Sequence, residues 1–383
     1  MSSEIVKVKG RPPAMPENMD TGSGSQELAS PSALDANLLL ASCPLPITNY
    51  KEIVLGHGSG GKLSQQLIQK MVLPQFRNKL LEPLHDGAIF SIGDECVAFS
   101  TDSYVVSPIF FPGGDIGKLA VHGTVNDLAM CGARPLYLSA AFILEEGTPM
   151  EDLWRVIQSM RDAAVAAGVQ FVTGDTKVVD RGKADKIFIN TSGIGIIPEG
   201  VNIHPARAQA GDKILISGSI AVHGIAIMSV REGLEFETEI ASDTAALNGL
   251  VEVILRASKD VHVLRDPTRG GVTSALSEIA QAAKVGMLLQ EASIPINEDV
   301  KGACEILGLD PLYVANEGKL LAIVSSGDSD RVLAAMHGHP LGQDAAVIGE
   351  IRNEQPGFVM MKTRVGGTRV VDMLSGEQLP RIC

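Results

Sequence analysis

The stretch TPMEDLWRVIQSMRDAAVAAGVQFVTGDTK, residues 148–177, decides the fold class. Thr148, Pro149 and Glu151 have the spacing of a capping box with proline at the first helical position. Leu153, Val156, Ile157, Met160 and Ala164 then recur on one helical face, and Gly168 closes the helix. Val169 to Thr173 reads as a buried strand, which puts Gly174, Asp175, Thr176 and Lys177 in the loop at its carboxyl end. A helix feeding a buried strand is the texture of an α/β protein, and open α/β sheets bind ligands at the carboxyl ends of their strands.

The same texture extends in both directions from Ile53 onward. A strand is expected at Cys96 to Ser100 and a helix around Leu119 to Met130. A second unit begins near the turn Gly211-Asp212. It has a strand from Lys213 to Ser217, helical patterns at about 220–232, 243–257 and 272–284, and strands at about 285–290, 319–325 and 345–351. The expected organisation is therefore two α/β domains, at 49–205 and 206–360. They are flanked by a Pro-, Gly- and Ser-rich disordered extension at 1–48 and a mobile tail at 361–383.

Composition narrows the function. The chain has 383 residues, with 32 Lys and Arg against 45 Asp and Glu, a net charge of −13 and 45% hydrophobic residues. That balance suits a globular acidic protein, and no basic run offers nucleic acid a footing. The most apolar stretch, Ile214 to Val230, is broken by Ser217, Ser219, His223 and Ser229, so no spanning helix is expected. The five cysteines, at 43, 96, 131, 304 and 383, show no CxxC spacing and indicate a reducing compartment. No apolar segment follows the N-terminal basic residues, and the cytoplasm is the expected location.

Several constellations can carry chemistry. Gly56-His57-Gly58-Ser59-Gly60-Gly61-Lys62 leads into a helical pattern, which suits either a phosphate cradle or a flexible linker. Asp94, Asp102, Asp127 and Asp175 stand at element ends or on a polar helix face. Each is a hard-oxygen ligand of the kind a nucleotide-bound Mg2+ takes, or a turn or cap residue. Lys177 can offset charge on a transferred phosphoryl group or be a solvated surface residue. Asp266-Pro267-Thr268-Arg269-Gly270-Gly271 precedes a helix, either as an anion site with Arg269 as clamp or as a helix cap. Glu317 between two apolar runs is a general base or a turn residue. The eight histidines form no zinc pattern. Cys383, the last residue, is a thiol on an arm whose roughly 20 extended residues would reach about 65 Å.

Together these residues resemble one family. The runs Ser100-Thr101-Asp102-Ser103-Tyr104-Val105-Val106, Phe110 to Lys118 (FFPGGDIGK), Gly123 to Leu128 (GTVNDL), Thr173 to Lys177 (TGDTK) and Ala315 to Lys319 (ANEGK), with the terminal Pro380-Arg381-Ile382-Cys383, are similar to the HypE family of hydrogenase maturation factors. The resemblance covers about residues 53–383 and leaves out the N-terminal extension. It implies the two-domain α/β, or layered α+β, fold shared with aminoimidazole ribonucleotide synthetase.

The resemblance also implies an activity. Cys383 receives a carbamoyl group from the carbamoyltransferase HypF. ATP then drives dehydration of the thiocarboxamide to a thiocyanate, and the cyanide passes to a HypC–HypD scaffold. The implied catalytic residues are Cys383, Lys177 as charge stabiliser and Glu317 as base. Gly58, Gly60, Gly61, Lys62, Asp102, Asn126, Asp127, Asp175 and Thr176 are implied at the ATP, with Mg2+ on Asp102, Asp127 and Asp175. A homodimer paired through the N-terminal domains is also implied. Selenophosphate synthetase is the nearest rival, but its glycine loop carries a reactive Cys or selenocysteine and residues 56–61 hold none. A carrier that only presents Cys383, and a nucleotide-binding scaffold without turnover, are the non-enzymatic alternatives.

Overall fold

The computed structural model describes residues 46–47, 49–233, 239–376 and 381–383, so nearly all of the extension expected at 1–48 lies outside the described residues. After the glycine loop comes α1 (Lys62–Leu67), which runs through a π turn (Ile68–Val72) into α2 (Leu73–Phe76). The first sheet is then laid down by β1 (Ala88–Ile92) and β2 (Glu95–Tyr104). A two-residue ribbon, β3 (Phe110–Phe111) with β4 (Gly114–Asp115), leads into α3 (Ile116–Met130). β5 (Arg134–Glu145), α4 (Met150–Ala167), β6 (Gln170–Val179) and β7 (Ile187–Ile196) complete this half, and the strand order is β1-β2-β7-β5-β6.

The second half contains β8 (Lys213–Ile216), α5 (Val222–Glu232), α6 (Asn248–Ala257), β9 (Val261–Arg265), α7 (Gly271–Ala283) and β10 (Gly286–Gln290). α8 (Glu298–Leu307), β11 (Leu321–Val324), α9 (Ser329–His337), β12 (Ala346–Arg352), β13 (Val359–Lys362) and β14 (Thr368–Val371) follow. Its seven-stranded sheet has the order β14-β13-β10-β12-β8-β11-β9. Among the described residues only β5–β6 and β10–β13 pair in parallel, so both sheets are mainly antiparallel, with helices layered against them.

Local chemistry explains the elements that frame the site. β2 alternates, turning Ala98, Ser100 and Tyr104 inward. α3 starts where Asp115 accepts the backbone N–H groups of Gly117 and Lys118, and it is buried almost all round. It packs against β2, β7 and α4, and its last residues, Ala129 and Met130, join the core of the second half beside Leu215 and Leu250. That shared helix fixes one half on the other. Asn126 strengthens the joint: its amide nitrogen donates to the carbonyl of Ala245 and its oxygen accepts from Leu247 N–H.

Two expectations change here. The capping box at Thr148 does not form, because the Thr148 hydroxyl donates to the Lys186 carbonyl and the helix begins at Met150. Gly168 closes that helix in the left-handed region, at φ 72°, as read from the sequence. The tail expected from 361 instead re-enters the sheet. Val359 pairs with Val371 in the β13–β14 hairpin, and the glycines that suggested mobility make its turn, with Gly366 at φ +91°. β6 differs too: it is an edge strand exposed along most of its length, and Gly174, Asp175, Thr176 and Lys177 lie within it rather than beyond its end. The face of the first sheet turned away from the helices exposes Phe99, Ile194 and Tyr137 in one row across β2, β7 and β5.

Candidate active site

Four segments converge around the chain terminus. β2 contributes Asp102 and Tyr104, α3 contributes Asp127, the β9–α7 loop contributes Asp266 and Arg269, and the segment before β11 contributes Glu317. Asn316 sets Glu317 in place. It is fully buried, donates to the carbonyls of Pro267 and Val314, and accepts from Ala221 N–H.

Carboxylates gather at the floor. Oxygens of Asp86, Asp127 and Asp266 lie within 4.8 Å of one another. Ser100 Oγ donates to Asp127 at 2.7 Å, and Arg265 grips Asp86 at 2.7 Å and Glu278 at 2.6 Å. Burial would raise the pKa of Asp86, but Arg265 and His85 together outweigh it and hold the carboxyl below its usual value. Asp127 has no such partner. Burial, then Asp266, Asp102 and Asp86, push it well up, and burial followed by Asp86 carries Asp266 to about 7. Like charges this close favour either protons or a cation. The donors are all oxygens, and Asp86 Oδ2 is buried with no hydrogen-bond partner, so the cluster fits a hard divalent ion such as Mg2+.

Cys383 lies among Glu317, Arg269 and Asp102. The last residue is buried in the same core as Tyr104, Val106 and Phe111, where its thiol meets the Glu317 carboxyl. Burial, then Glu317, raise the thiol well above its ordinary pKa, and Arg269 pulls the other way. The Arg269 guanidinium is in turn favoured in its charged form, by Cys383 first when that group is ionised and then by Asp102, whose carboxylate is 3.6 Å away. Glu317 is raised well above its usual value by burial and then by Asp266, Asp102 and Asp243, which favour its neutral form. Its Oε1 and the Tyr104 hydroxyl are buried with no hydrogen-bond partner. Burial and the neighbouring carboxylates thus favour the neutral form of both the Cys383 thiol and the Glu317 carboxyl.

The glycine loop reaches this region from the other side. Gly60, at φ +74°, lies so close to the Arg269 carbonyl that a β-carbon would stand 2.6 Å from its oxygen. The loop and the Asp266–Gly271 segment face each other across a cleft of about 300 Å³ lined by Gly58, Gly60, Ser64, Asp266 and Arg269. At Gly61 a β-carbon would meet the Leu374 carbonyl at 2.5 Å, and Lys62 is paired with Asp372 rather than aimed into the cleft.

The comparisons with known proteins follow the same lines. Residues 84–197 match the N-terminal domain of AIR synthase related proteins and 209–362 the C-terminal domain. Carbamoyl dehydratase HypE of Cupriavidus necator is 56% identical over 89% of this chain and 97% of its own. This chain belongs to the HypE family. A crystal structure of a HypE–HypF complex superposes with a TM-score of 0.77 at 48% identity, over 80% of this chain and 99% of that one. HypE in complex with ATP superposes at 0.73 with 50% identity, over 87% and 100%.

Of the residues singled out from the sequence, the fold brings together Cys383, Glu317, Asp102, Asp127, Arg269 and the glycine loop. It does not bring in Asp175, Thr176 or Lys177. Lys177 pairs with Asp175 at 2.7 Å on the exposed edge strand, with β5 and β7 between it and β2. Asp127 clusters with Asp86 and Asp266 rather than with Asp102 and Asp175. Asn126 is spent on the backbone of 245, 247 and 317, and Asp94 is an exposed hairpin-turn residue. Asp86 was not legible, because it stands in an aperiodic segment before β1. Asp266 left one clue, an acid placed between Arg265 and Arg269, which the capping reading absorbed.

Proposed function

We propose that this protein dehydrates an S-carbamoyl group carried on its own Cys383 to a thiocyanate, using ATP, and so supplies the cyanide ligand of iron in nickel–iron hydrogenase. The observation that carries the reading is the position of Cys383, buried against Glu317 and Arg269 with Asp102 close by. A thiol placed among charged side chains is positioned to present a group to them.

The chemistry follows from the residues. The carbamoyl oxygen attacks the γ-phosphorus of ATP, ADP leaves, and one N–H proton is lost. Removal of the second N–H proton expels phosphate and leaves S–C≡N. Arg269 faces the sulfur end and can carry charge that builds on the oxygen. Glu317 is the proton acceptor, and its ionisation is opposed by burial first and then by the charges on Asp266 and Asp102. Asp86, Asp127 and Asp266 would hold Mg2+, which when bound neutralises those carboxylates and the phosphates. The cleft between the glycine loop and Arg269 suits the phosphate chain, with Gly58 and Gly60 offering backbone approach.

Lys177 retains its role only across a dimer. The exposed row of Phe99, Ile194 and Tyr137 is an apolar sheet face that a second copy can cover, and the edge strand β6 would then lie at the seam with Asp175, Thr176 and Lys177. HypF as carbamoyl donor is supported by the solved HypE–HypF pair, and a HypC–HypD complex is the proposed acceptor. An ATP-dependent maturation step of this kind belongs in the cytoplasm.

The test is the mass of the C-terminal peptide. After incubation with the carbamoyltransferase and its substrates, Cys383 should gain a carbamoyl group, and ATP with Mg2+ should then remove one water from it, with Cys383→Ala as control. An adduct that persists unchanged beside intact ATP would make the protein a carrier, and the dehydratase reading would be lost.

A further inference from the structure

Cys383 does not hold itself in the site; the two residues before it and a relay from the second half do. The Val105 N–H donates to the Cys383 carbonyl at 3.2 Å and the Ser107 N–H to that of Arg381 at 3.2 Å, so the terminus lies alongside the segment that leaves β2 like a short added strand. Arg231 Nε donates to the Ser107 carbonyl at 2.5 Å, and its guanidinium also reaches the Arg381 carbonyl. The Ile382 carbonyl, in the peptide that leads directly into Cys383, points to the other side.

There it meets His223. Nε2 of this fully buried imidazole lies 2.8 Å from the Ile382 oxygen, and Nδ1 lies 2.8 Å from Ser242 Oγ. A carbonyl only accepts, so Nε2 carries the proton. Nδ1 of the neutral ring then accepts the Ser242 hydroxyl proton, and Ser242 Oγ is free to accept the Thr244 N–H at 3.1 Å. Every donor and acceptor along Thr244–Ser242–His223–Ile382 is consistent with one tautomer. Phe111 packs edge-on against the ring at 5.7 Å and fixes its plane. Burial pushes His223 below its ordinary pKa, which keeps the ring neutral.

We propose that His223 is a positioning residue: oriented by Ser242, it holds the Ile382 carbonyl and thereby seats the Cys383 thiol between Glu317 and Arg269. The assignment rests on the reading of Cys383 as the carrier thiol, but its test does not need turnover. A seated thiol is shielded, so its alkylation by a small maleimide reports how often the tail leaves. Losing one such hydrogen bond is worth about a factor of ten in the docking equilibrium.

In the full-length protein, His223→Leu should raise the labelling rate of Cys383 about tenfold, read by mass on the C-terminal peptide, while buried Cys131 and Cys304 keep theirs. Ser242→Ala should act in the same direction, and adding it to His223→Leu should have no further effect, since both break one relay. His223→Gln, which keeps an amide donor, should recover part of the protection. On carbamoylated protein the dehydration kcat should fall in the Leu variant with the KM for ATP unchanged. Wild-type labelling of Cys383 in both His223→Leu and Ser242→Ala would overturn the assignment. So would a rise shared with Cys131 and Cys304, because the loss would then be global. If labelling behaves as expected but no thiocyanate forms in the wild type, the latch stands and the dehydratase reading falls.

Discussion

Gly123 of α3 faces the Tyr104 hydroxyl so closely that a β-carbon built on its backbone would lie 2.0 Å from that oxygen. The absence of a side chain there lets β2 sink against the helix and brings Tyr104 and Asp102 level with Asp127. Alanine in a helix interior normally stabilises by up to about 1 kcal/mol over glycine, but here the clash decides the sign. Gly123→Ala should cost about 1–3 kcal/mol in chemical denaturation and depress turnover more than ATP affinity. Tyr104→Phe in the same chain should recover part of the stability, because the oxygen is the first atom met. A stabilised Gly123→Ala protein with full turnover would mean that the β2–α3 contact yields without cost.

Much of this arrangement could be read from residues in order, and the rest could not. The helix closed by Gly168 and the strands at 213–216, 286–290 and 321–324 follow from local periodicity, which a sequence displays directly. Asp86 and Asp266 meet Asp127 only because α3 is shared between the two halves, a non-local fact with no periodic signature. The placement of Asp175 and Lys177 failed for a different reason. Val169 to Thr173 has the composition of a central strand, but β6 is an edge strand exposed along most of its length, and strand composition does not report position in the sheet. The tail misled through its glycines, which make the β13–β14 turn rather than a loose chain.

The acidic floor should respond to metal and pH in a linked way. Asp266 is raised from 3.8 to about 7, so the folded state holds its proton more tightly than the unfolded chain. Its contribution to stability is therefore complete below about pH 4 and is lost as pH rises through 7. At pH 8 without divalent ions, Asp266→Asn should be more stable than the wild type by thermal denaturation. Saturating Mg2+ should stabilise the wild type, by about 2.7 kcal/mol at a hundredfold excess over Kd, and should leave the variant nearly unmoved. An undiminished Mg2+ response in Asp266→Asn would remove this residue from the metal site.

His122 should show the opposite pH dependence. Buried in α3 with Nδ1 3.1 Å from Thr244 Oγ1, it is lowered from 6.5 to about 4 by burial and, to a lesser degree, by Lys118. Here the unfolded chain binds the proton more tightly, so stability is present above pH 6.5 and is lost as pH falls towards 4. The full difference is on the order of 3 kcal/mol. Plotted against pH, the stability of the wild type minus that of His122→Gln should decline through this window and be flat above it. A flat difference throughout would mean that the ring is protonated without penalty.

The dimer proposal can be tested through the separation of Lys177 from Cys383. Within one protomer Lys177 is ion-paired with Asp175 on an exposed edge strand, with two strands between it and β2. If it serves the neighbouring protomer, Lys177→Ala and Cys383→Ala should each be inactive alone yet complement when mixed and allowed to exchange subunits. The Lys177→Ala chain supplies the carbamoylated thiol and the Cys383→Ala chain supplies the lysine, so random exchange should restore roughly a quarter of wild-type turnover. Ile194→Glu places a charge in the row with Phe99 and Tyr137, and it should give a monomer by light scattering that is still carbamoylated on Cys383 but does not form thiocyanate. Silence in the mixing experiment, with subunit exchange verified by native mass, would put Lys177 in its own protomer's site or outside the reaction. A monomeric Ile194→Glu protein with normal turnover would show that no second copy is needed at all.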